Sequence, residues 1–361
     1  MLRALAFATV LLLASDAAAE ETVRIAIVDG AAEIALSGDE LEVRRLEVGE
    51  KYALAPGGRS AVTLKNGVML LDGAKVTAAD GVKYRSRGLV RCGDKMVRGQ
   101  IEVRPGKKGL VAINVVPLED YLLAVLGSEM PRSFPVEALK AQAVAARTYA
   151  IRQKIQAWGR PYHMGATVLH QVYGGARAED PRTREAVEAT RGEVMVWEME
   201  PIEAYFHSSC GGKTESGSDA LGRPLPYLRP ASCACHGTPR SVWSESFGVD
   251  DFQPLLKGTL TELKVLERTP TGRARRVLLA SSSGKRVVSG VELRRVMGYD
   301  RLRSLDFTAE RDGRKLKLAG KGFGHGAGMC QWGAKSFADQ GWDYRRILGH
   351  YYAGAEVRRM Y

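Results

Sequence analysis

Short apolar, β-branched runs separated by turn residues characterise the first part of the chain. Residues 23–28 and 67–71 are two such runs, and the dipeptides Asp29-Gly30, Asn66-Gly67 and Asp72-Gly73 favour tight turns between strands. The pattern predicts a small β-rich module over residues 20–105, with a binding or supporting role. The segment 104–109, which reads RPGKKG, is the predicted joint to the next domain.

A helical period replaces the strand pattern after residue 109. Pro117 suits a helix start, and apolar residues follow it at helical spacing: Leu118, Leu122, Val125 and Leu126. Pro131 ends this predicted helix, because its ring is incompatible with an α-helical predecessor. Glu129 is therefore predicted at the C-terminal edge of the helix.

Further helices and strands follow in alternation. An alanine-rich helix is predicted from Pro135 to about Gln156, strand-like runs occur at residues 193–197 and 276–280, and a last helix is predicted over residues 331–338. The predicted fold class is α+β, with mixed helices and short strands in a second domain over residues 106–361.

Composition and the first residues limit the possible functions. With 45% hydrophobic and 26% charged residues, the 361-residue chain is neither a disordered protein, a collagen nor a polytopic membrane protein. Residues 1–19 combine Arg3, a short apolar run and a final Ala-Ala-Ala at 17–19, which is typical of a secretory signal peptide. No cysteine follows that run directly and no later apolar stretch reaches 18 residues, so no stable membrane anchor is expected.

The chain carries 53 basic and 41 acidic residues, a net charge of +12, which favours an anionic partner. Nucleic acid, an acidic membrane surface and an anionic wall polymer all satisfy that condition. Because the leader predicts export to the periplasm, the cell wall or the medium, nucleic acid is not expected as the partner.

Glu129 is the first candidate for chemistry. A carboxyl group at a helix C-terminus meets the negative end of the helix dipole, and the neighbouring Met130 and Phe134 would add desolvation. Both effects raise the pKa of a carboxyl group, as a general acid at neutral pH requires. The alternative is an ordinary surface or capping residue.

A glycine-rich segment, residues 320–331, is the second candidate. Glycine admits positive φ and close backbone approach, so this loop can lie against a ligand or another strand. It is not a phosphate-binding loop, since none of its glycines is followed by Lys and then Ser or Thr. Two interpretations of His325 stay open: a substrate ligand, or a structural histidine bonded to backbone.

Five cysteines form no evident scaffold. Cys210, Cys233 and Cys235, with His207 and His236, are compatible either with a zinc site or with a disulfide. The Cys-x-Cys-His spacing matches no standard zinc ribbon. A thiol nucleophile at Cys330 lacks an obvious orienting partner.

Long motifs in a fixed order resemble the stage II sporulation protein D (SpoIID/LytB) family. The matching stretches are PLEDY at 117–121, SEMP at 128–131, EALKAQAVAARTY at 137–149, QVYGG at 171–175, CGGKTE at 210–215, YL at 227–228, GFGHGAGMCQWGA at 322–334 and ILGHYYAG at 347–354. The resemblance covers roughly residues 105–358, whereas the β-rich module matches only loosely.

The resemblance implies a peptidoglycan lytic transglycosylase that cleaves glycan strands stripped of stem peptides. Glu129 would protonate the glycosidic oxygen and then, as a carboxylate, help the sugar's 6-hydroxyl close a 1,6-anhydro ring. We expect no cofactor. The predicted sugar-binding residues are Lys140, Gln142, Arg147, Tyr173, Lys213, His325 and Gln331, with Tyr173 stacking on a sugar ring.

Two departures from the family pattern concern metal binding. Some members hold zinc through His and Cys residues just before the Gln-x-Tyr stretch, but only His163 and His170 occupy that neighbourhood here. No metal is therefore predicted there. Cys330 stands where serine is common, which favours packing over chemistry.

A non-catalytic role is the competing hypothesis. Some relatives are described as wall-binding proteins that stimulate a cell-wall amidase, and the positive charge and the β-rich module fit that role. The predicted partners are thus peptidoglycan glycan strands and, in the alternative, an amidase. The complete motif around Glu129 favours the enzyme.

Overall fold

A computed structural model describes residues 20–46, 50–76, 81–167 and 170–361. The predicted signal peptide, residues 1–19, lies outside the described residues. None of the described helices is long and apolar enough to cross a membrane.

Helices and strands alternate along the chain in several small sheets. The helices are α1 Leu118–Glu129, α2 Val136–Gln156, α3 Pro181–Ala189, α4 Gly217–Leu221, α5 Gly290–Met297, α6 Gln331–Asp339 and α7 Tyr344–Tyr351. The strands are β1 Thr22–Ala31, β2 Glu33–Gly38, β3 Glu42–Arg45, β4 Ala53–Leu54, β5 Arg59–Lys65, β6 Val68–Leu71, β7 Ala74–Lys75, β8 Val82–Arg85, β9 Val90–Cys92, β10 Lys95–Val97, β11 Gln100–Gly106, β12 Gly109–Pro117, β13 Met164–Gly165, β14 Glu193–Trp197, β15 Glu200–Pro201, β16 Phe206–His207, β17 Val242–Gly248, β18 Leu260–Arg268, β19 Ala274–Ser281, β20 Gly284–Ser289, β21 Asp306–Asp312, β22 Lys315–Lys321, β23 Met329–Cys330 and β24 Glu356–Arg359.

These bounds confirm the α+β class, with 25% of the described residues in helical conformation, 3-10 turns included, and 38% in β conformation. The three helices predicted from periodicity and proline positions correspond to α1, α2 and α6, and Glu129 is the last residue of α1 as predicted. The short helices α3, α5 and α7 were not predicted, because each has only two or three turns, too few for a helical period to stand out from the neighbouring strands and turns.

The N-terminal strands form two sheets that are antiparallel except at one edge, where β13 pairs in parallel with β1. One sheet has the order β13-β1-β12-β11-β8-β3-β4 and the other β10-β9-β2-β5-β6-β7. The segment predicted as a joint, residues 104–109, is the turn of the β11–β12 hairpin, with Gly106 opposite Gly109. One continuous hydrophobic core joins these sheets to α1, α2 and α7.

Helix α2 crosses the centre of the molecule and is buried over most of its length. Its alanines allow close packing of neighbouring backbone. The helix α1 beside it approaches the 176–178 turn so closely at Gly127 that a Cβ atom there would lie 1.8 Å from the carbonyl oxygen of Ala178. Glycine is therefore required at this contact, which fixes the position of the α1 C-terminus.

Residues 242–321 form a separate unit, here called the inserted lobe. It contains β17–β22 and α5 and has its own core, which includes Phe247, Phe252 and Leu279. Val242 pairs with Lys321 across β17 and β22, so the chain enters and leaves the lobe at adjacent positions. The lobe is an insertion packed beside the main core.

Candidate active site

A cavity of about 530 Å³ lies between the C-terminus of α1, the inserted lobe and the glycine-rich segment. Its lining comes from eight parts of the chain: Ser128, Glu129, Pro131 and Phe134 near α1; Tyr149 of α2; His170 and Val172; Tyr205, Phe206, His207 and Ser208; Ala220 and Leu221 of α4; Arg240; Val291, Arg294, Tyr299, Asp300 and Leu305 of the lobe; and Phe323, Gly324, His325, Gln331 and Trp332. The wall is mixed apolar and aromatic, with few charged groups. A cavity of this size and lining is typical of sites that hold small organic ligands.

Glu129 lies in this cavity with both carboxyl oxygens hydrogen bonded. The backbone N–H of Val172 donates to Oε1 at 2.7 Å, and Nε2 of Gln331 donates to Oε2 at 3.3 Å. Burial raises the pKa of Glu129 above its ordinary value, and the two hydrogen bonds offset this shift only in part. The group is thus suited to hold a proton and release it to a bound ligand.

Gln331 and Gln142 form a chain of amides behind Glu129. The Nε2 group of Gln331 donates both to Glu129 and to Oε1 of Gln142, the second contact measuring 3.4 Å. Gln142 is fully buried in α2, while Gln331 begins α6 directly after the glycine-rich segment. Of the two predicted ligands, Gln331 lines the cavity and Gln142 positions Gln331 from behind.

His325 lines the cavity, but both of its ring nitrogens are engaged by backbone. The N–H of Ala327 donates to Nδ1 at 3.1 Å, so Nε2 carries the proton and donates to the carbonyl oxygen of Phe206 at 2.9 Å. Burial lowers the pKa of His325 to about 4, which keeps the ring neutral. Its structural interpretation is therefore the better supported, although the ring remains part of the wall.

Two predicted ligands prove to be core residues, which corrects the predictions made for them. Arg147 is fully buried and donates to both carboxyl oxygens of Glu119, at 2.8 and 2.7 Å. Tyr173 is also buried: its hydroxyl donates to Oδ1 of Asn114 and its ring packs on Tyr121. Neither side chain reaches the cavity, because the faces that carry them point into the main core.

The two predicted lysine ligands do not line the cavity. Lys140 pairs with Glu137 at 2.8 Å on the outer side of α2. Lys213 is exposed in a turn that bridges to Ser232. The cavity cations are instead Arg240, whose guanidinium lies over the ring of Phe323 at 4.9 Å, and the buried Arg294, which lies over Tyr299 at 4.8 Å.

Sequence reasoning missed the contribution of the lobe and most of the aromatic wall. Arg294, Tyr299 and Asp300 are more than 150 residues away from Glu129 along the chain, and no motif connects them. The two glycines of the CGGKTE motif predict a turn just after His207 and Ser208, and that is the sequence signal that could have found these two residues. His207 donates through Nδ1 to the carbonyl oxygen of Ala327, while its buried Nε2 has no hydrogen-bond partner among the described residues.

The histidines near the Gln-x-Tyr stretch form no metal site within the described residues. His163 accepts through Nδ1 from the backbone N–H of Arg24 at 3.1 Å, and burial lowers its pKa to about 4. The four cysteines Cys210, Cys233, Cys235 and Cys330, by contrast, gather in one buried cluster next to the cavity wall. Only the tertiary structure adds Cys330 to the three cysteines that the sequence singled out.

Comparisons with known proteins agree with the arrangement of these segments. The model of a family described as "Stage II sporulation protein", SpoIID, matches residues 106–197. The stage II sporulation protein D of Bacillus amyloliquefaciens is 34% identical over 266 residues, covering 68% of this chain and 75% of that protein. The chain belongs to the SpoIID family.

Two proteins of Bacillus subtilis are also similar to this chain. The stage II sporulation protein D of Bacillus subtilis is 31% identical over 68% of this chain and 76% of its own length. An amidase enhancer of the same species is 30% identical over 65% of this chain, but that match covers only 40% of the enhancer. These names support a role connected with the cell wall.

The SpoIID match and the lobe are distinct in sequence. The SpoIID model contains the α1–α2 unit with Glu129, whereas residues 248–328 match a domain of unknown function (DUF8618). That second match spans most of the inserted lobe and ends in the glycine-rich segment. The cavity is thus formed where the SpoIID unit meets the lobe.

Proposed function

We propose that this SpoIID-family protein is an exported lytic transglycosylase that cleaves peptidoglycan glycan strands, with Glu129 as its general acid and base. One observation carries the proposal: a carboxyl group of raised pKa lies in the cavity with its oxygens fixed by Val172 and Gln331. A cavity lined by aromatic rings and amides suits amino sugars, which present apolar ring faces and polar edges.

The two oxygens of Glu129 have different roles in the proposed reaction. Oε1 accepts the short 2.7 Å bond from backbone, so the proton resides on Oε2, whose contact with Gln331 is longer at 3.3 Å. Oε2 donates this proton to the glycosidic oxygen as the bond from that oxygen to C1 breaks. The carboxylate then accepts the proton of the sugar's 6-hydroxyl while O6 bonds to C1, which regenerates the acid without consuming water.

A single carboxyl group suffices for this sequence of steps, whereas ordinary glycosidases use a pair. Glu129 and Asp300 are the carboxyl groups among the cavity-lining residues, and Asp300 is exposed on the lobe. The internal 6-hydroxyl takes the place of the activated water that a second carboxylate would serve.

The charge of the protein agrees with strands stripped of stem peptides. Removal of the peptide leaves a lactyl carboxylate on each muramic acid residue, so such strands are polyanions. The net charge of +12 and the exposed Arg240 at the cavity wall favour their binding. This attraction between the basic protein and the anionic strand is electrostatic, so binding should weaken as salt concentration rises.

The decisive experiment is digestion of amidase-treated peptidoglycan, with fragments analysed by mass spectrometry for 1,6-anhydro ends. Glu129→Gln keeps the shape but has no acidic proton, so we expect a loss of about 10²–10⁴-fold in rate. Asp300→Asn is the matched control and should retain most of the activity. Absence of anhydro ends with the unmodified protein, or equal product from Glu129→Gln, contradicts the proposal.

A second candidate is a non-catalytic enhancer of a cell-wall amidase, favoured by the similarity to the amidase enhancer. It predicts glycan retention without cleavage and stimulation of the amidase that survives Glu129→Gln. Amidase turnover should be measured alone, with the unmodified protein and with Glu129→Gln. Stimulation by both proteins supports the enhancer, because the enzyme hypothesis assigns no stimulation of the amidase to the carboxyl group.

A further inference from the structure

Four cysteine side chains from three distant segments meet beside the cavity. Cys210 follows β16, Cys233 and Cys235 lie in the loop before the lobe, and Cys330 ends β23. All four are buried, and their Sγ atoms lie within 4.8 Å of one another. The fifth cysteine, Cys92, is buried in the N-terminal sheets, apart from this cluster.

The spacing of these sulfurs fits a tetrahedral metal ion. A zinc ion with Zn–S bonds of about 2.3 Å places its four sulfurs roughly 3.8 Å apart. Cys210 and Cys235 have their Sγ atoms 3.5 Å apart, and the other pairs fall within the 4.8 Å limit. A disulfide joins two sulfurs at about 2.05 Å and gives no reason for four to converge on one point.

The surroundings supply what a thiolate cluster needs. The backbone N–H groups of Cys210 and Gly333 both donate to Sγ of Cys330, each at 3.3 Å. Cys330 also lies at the N-terminus of α6, where the helix dipole favours negative charge. Hydrogen bonds of this kind orient and stabilise metal-bound thiolates.

Two further contacts indicate a site formed to hold charge in a confined space. Arg273 of the lobe is buried and donates to the carbonyl oxygens of Cys210 and Lys213 at 2.8 and 3.0 Å, which brings a cation beside the cluster. Gly333 leaves room for sulfur, since a Cβ atom there would lie 2.2 Å from Sγ of Cys233. A cluster of four thiolates around a divalent ion carries two negative charges, and the buried guanidinium, which also pairs with a buried carboxylate at 3.7 Å, offsets part of that charge.

We propose that Cys210, Cys233, Cys235 and Cys330 bind one zinc ion as a closed, four-coordinate structural site. Four protein ligands leave no open position, so the ion takes no part in cleavage. The site is separate from the His163 and His170 neighbourhood. It corresponds to the zinc alternative that the sequence left open for Cys210, Cys233 and Cys235, with Cys330 added as the fourth ligand and without His207 or His236. Nothing in this inference depends on the proposed transglycosylase activity.

The proposed ion would hold the cavity wall together. Gln331, which donates to Glu129, directly follows Cys330. The wall residues His207 and Ser208 lie three and two residues before Cys210. The β16 and β23 segments that carry them pair in parallel through only two residues each, Phe206 with Met329 and His207 with Cys330. A metal bridge between Cys210 and Cys330 would fix this short pairing.

The test is metal analysis of the full chain, purified without chelator or reductant, by inductively coupled plasma mass spectrometry. We expect about one zinc ion per chain in the unmodified protein. In Cys330→Ser or Cys235→Ser the zinc content per chain should fall about tenfold, because loss of one thiolate opens the site. Cys92→Ser is the matched control and should keep its zinc. Cobalt exchanged into the site should give the intense absorption bands of a tetrahedral thiolate complex.

A thiol count on the unmodified protein covers the case in which the serine variants fail to fold. Denaturation with chelator and alkylation, without reductant, should modify all five cysteines. Intact protein that lacks zinc and yields one or three modified cysteines contains disulfides instead, and this result overturns the proposal. Stoichiometric iron in place of zinc, with a coloured protein as purified, overturns the assignment of the ion.

Discussion

Glu129 illustrates how opposing local effects set the state of one carboxyl group. Burial in the cavity raises its pKa, whereas the hydrogen bonds from Val172 and Gln331 stabilise the carboxylate and lower it. The desolvation effect is the larger one, so the group retains its proton to higher pH than an exposed glutamate. A reversible donor needs this balance, because it must release the proton and then recover one.

The pH dependence of activity should report this group. Because the protonated form is the active one, kcat/KM is expected to fall as pH rises through the raised pKa of Glu129. Gln331→Leu removes a hydrogen bond that lowers that pKa, so the alkaline limb should move to higher pH. Initial rates of anhydro-product release across a pH series provide the measurement, and an unshifted limb in Gln331→Leu would argue that Gln331 does not contact the acid.

At the scale of elements, a buried ion pair fixes the helices that carry the site. Arg147 of α2 binds Glu119 of α1 through two hydrogen bonds and also donates to the carbonyl oxygens of Val187 and Glu193. Burial by itself would raise the pKa of Glu119, but the hydrogen bonds and charge of Arg147 outweigh it and the pKa is lowered. This pair holds α1, α2 and the segment after α3 in one arrangement.

Removal of one partner should destabilise the fold strongly. Glu119→Ala leaves the guanidinium of Arg147 buried and unpaired, and we expect a loss of about 3–5 kcal/mol in the free energy of unfolding. Glu188→Ala, at the exposed i+4 partner of Arg184, is the control and should change stability by less than about 0.5 kcal/mol. Urea denaturation followed by circular dichroism measures both values, and similar losses would contradict the assigned role.

The same pair has a pH signature of defined sign. Since the folded pKa of Glu119 is lowered, its stabilisation is present above the unfolded pKa and is lost as pH falls through the folded value. As pH falls, the free energy of unfolding of the unmodified protein should therefore lose a contribution from ionised Glu119, which Glu119→Gln lacks at every pH. Melting temperatures measured over a pH series should converge for the two proteins at low pH.

For the whole molecule, the cavity exists because two units with separate cores meet. The main core contains the N-terminal sheets and the α1–α2 unit, and among the described residues none of its members belongs to the inserted lobe. Contacts between the units are polar: Thr269 donates to Oε2 of Glu215 at 2.6 Å, and Thr271 also donates to that carboxylate. The lobe therefore forms a wall of the site without carrying the main fold.

Excision of the lobe should separate folding from substrate binding. Because Val242 and Lys321 are paired neighbours, a short turn can replace residues 243–320. The deletion should be combined with Glu215→Gln, because the buried carboxylate of Glu215 loses its partners Thr269 and Thr271 when the lobe is removed. We expect a cooperative unfolding transition but a rise of about tenfold in KM for glycan, since the wall that orients the strand is lost. The lobe-containing Glu215→Gln protein is the control. Loss of cooperative unfolding would show that the main fold depends on the lobe, and an unchanged KM would remove the lobe from the site.

The sequence by itself determined the features that local chemistry controls. Proline positions and apolar periods fixed the ends of α1 and α2, and with them the place of Glu129 at a helix C-terminus. The motifs assigned the family and identified Gln331 as part of the site. These features depend on residues close together along the chain, where spacing and backbone preference suffice.

Tertiary structure decided which side chains meet. Arg147 and Tyr173 are residue types that often bind sugars, yet the packing of α2 and of the neighbouring loop directs both side chains into the core. The lobe side chains of the cavity and the inclusion of Cys330 in the thiol cluster follow from contacts across more than a hundred residues. A sequence pattern records which face of an element is apolar, but the opposing surface is chosen only when all the elements pack.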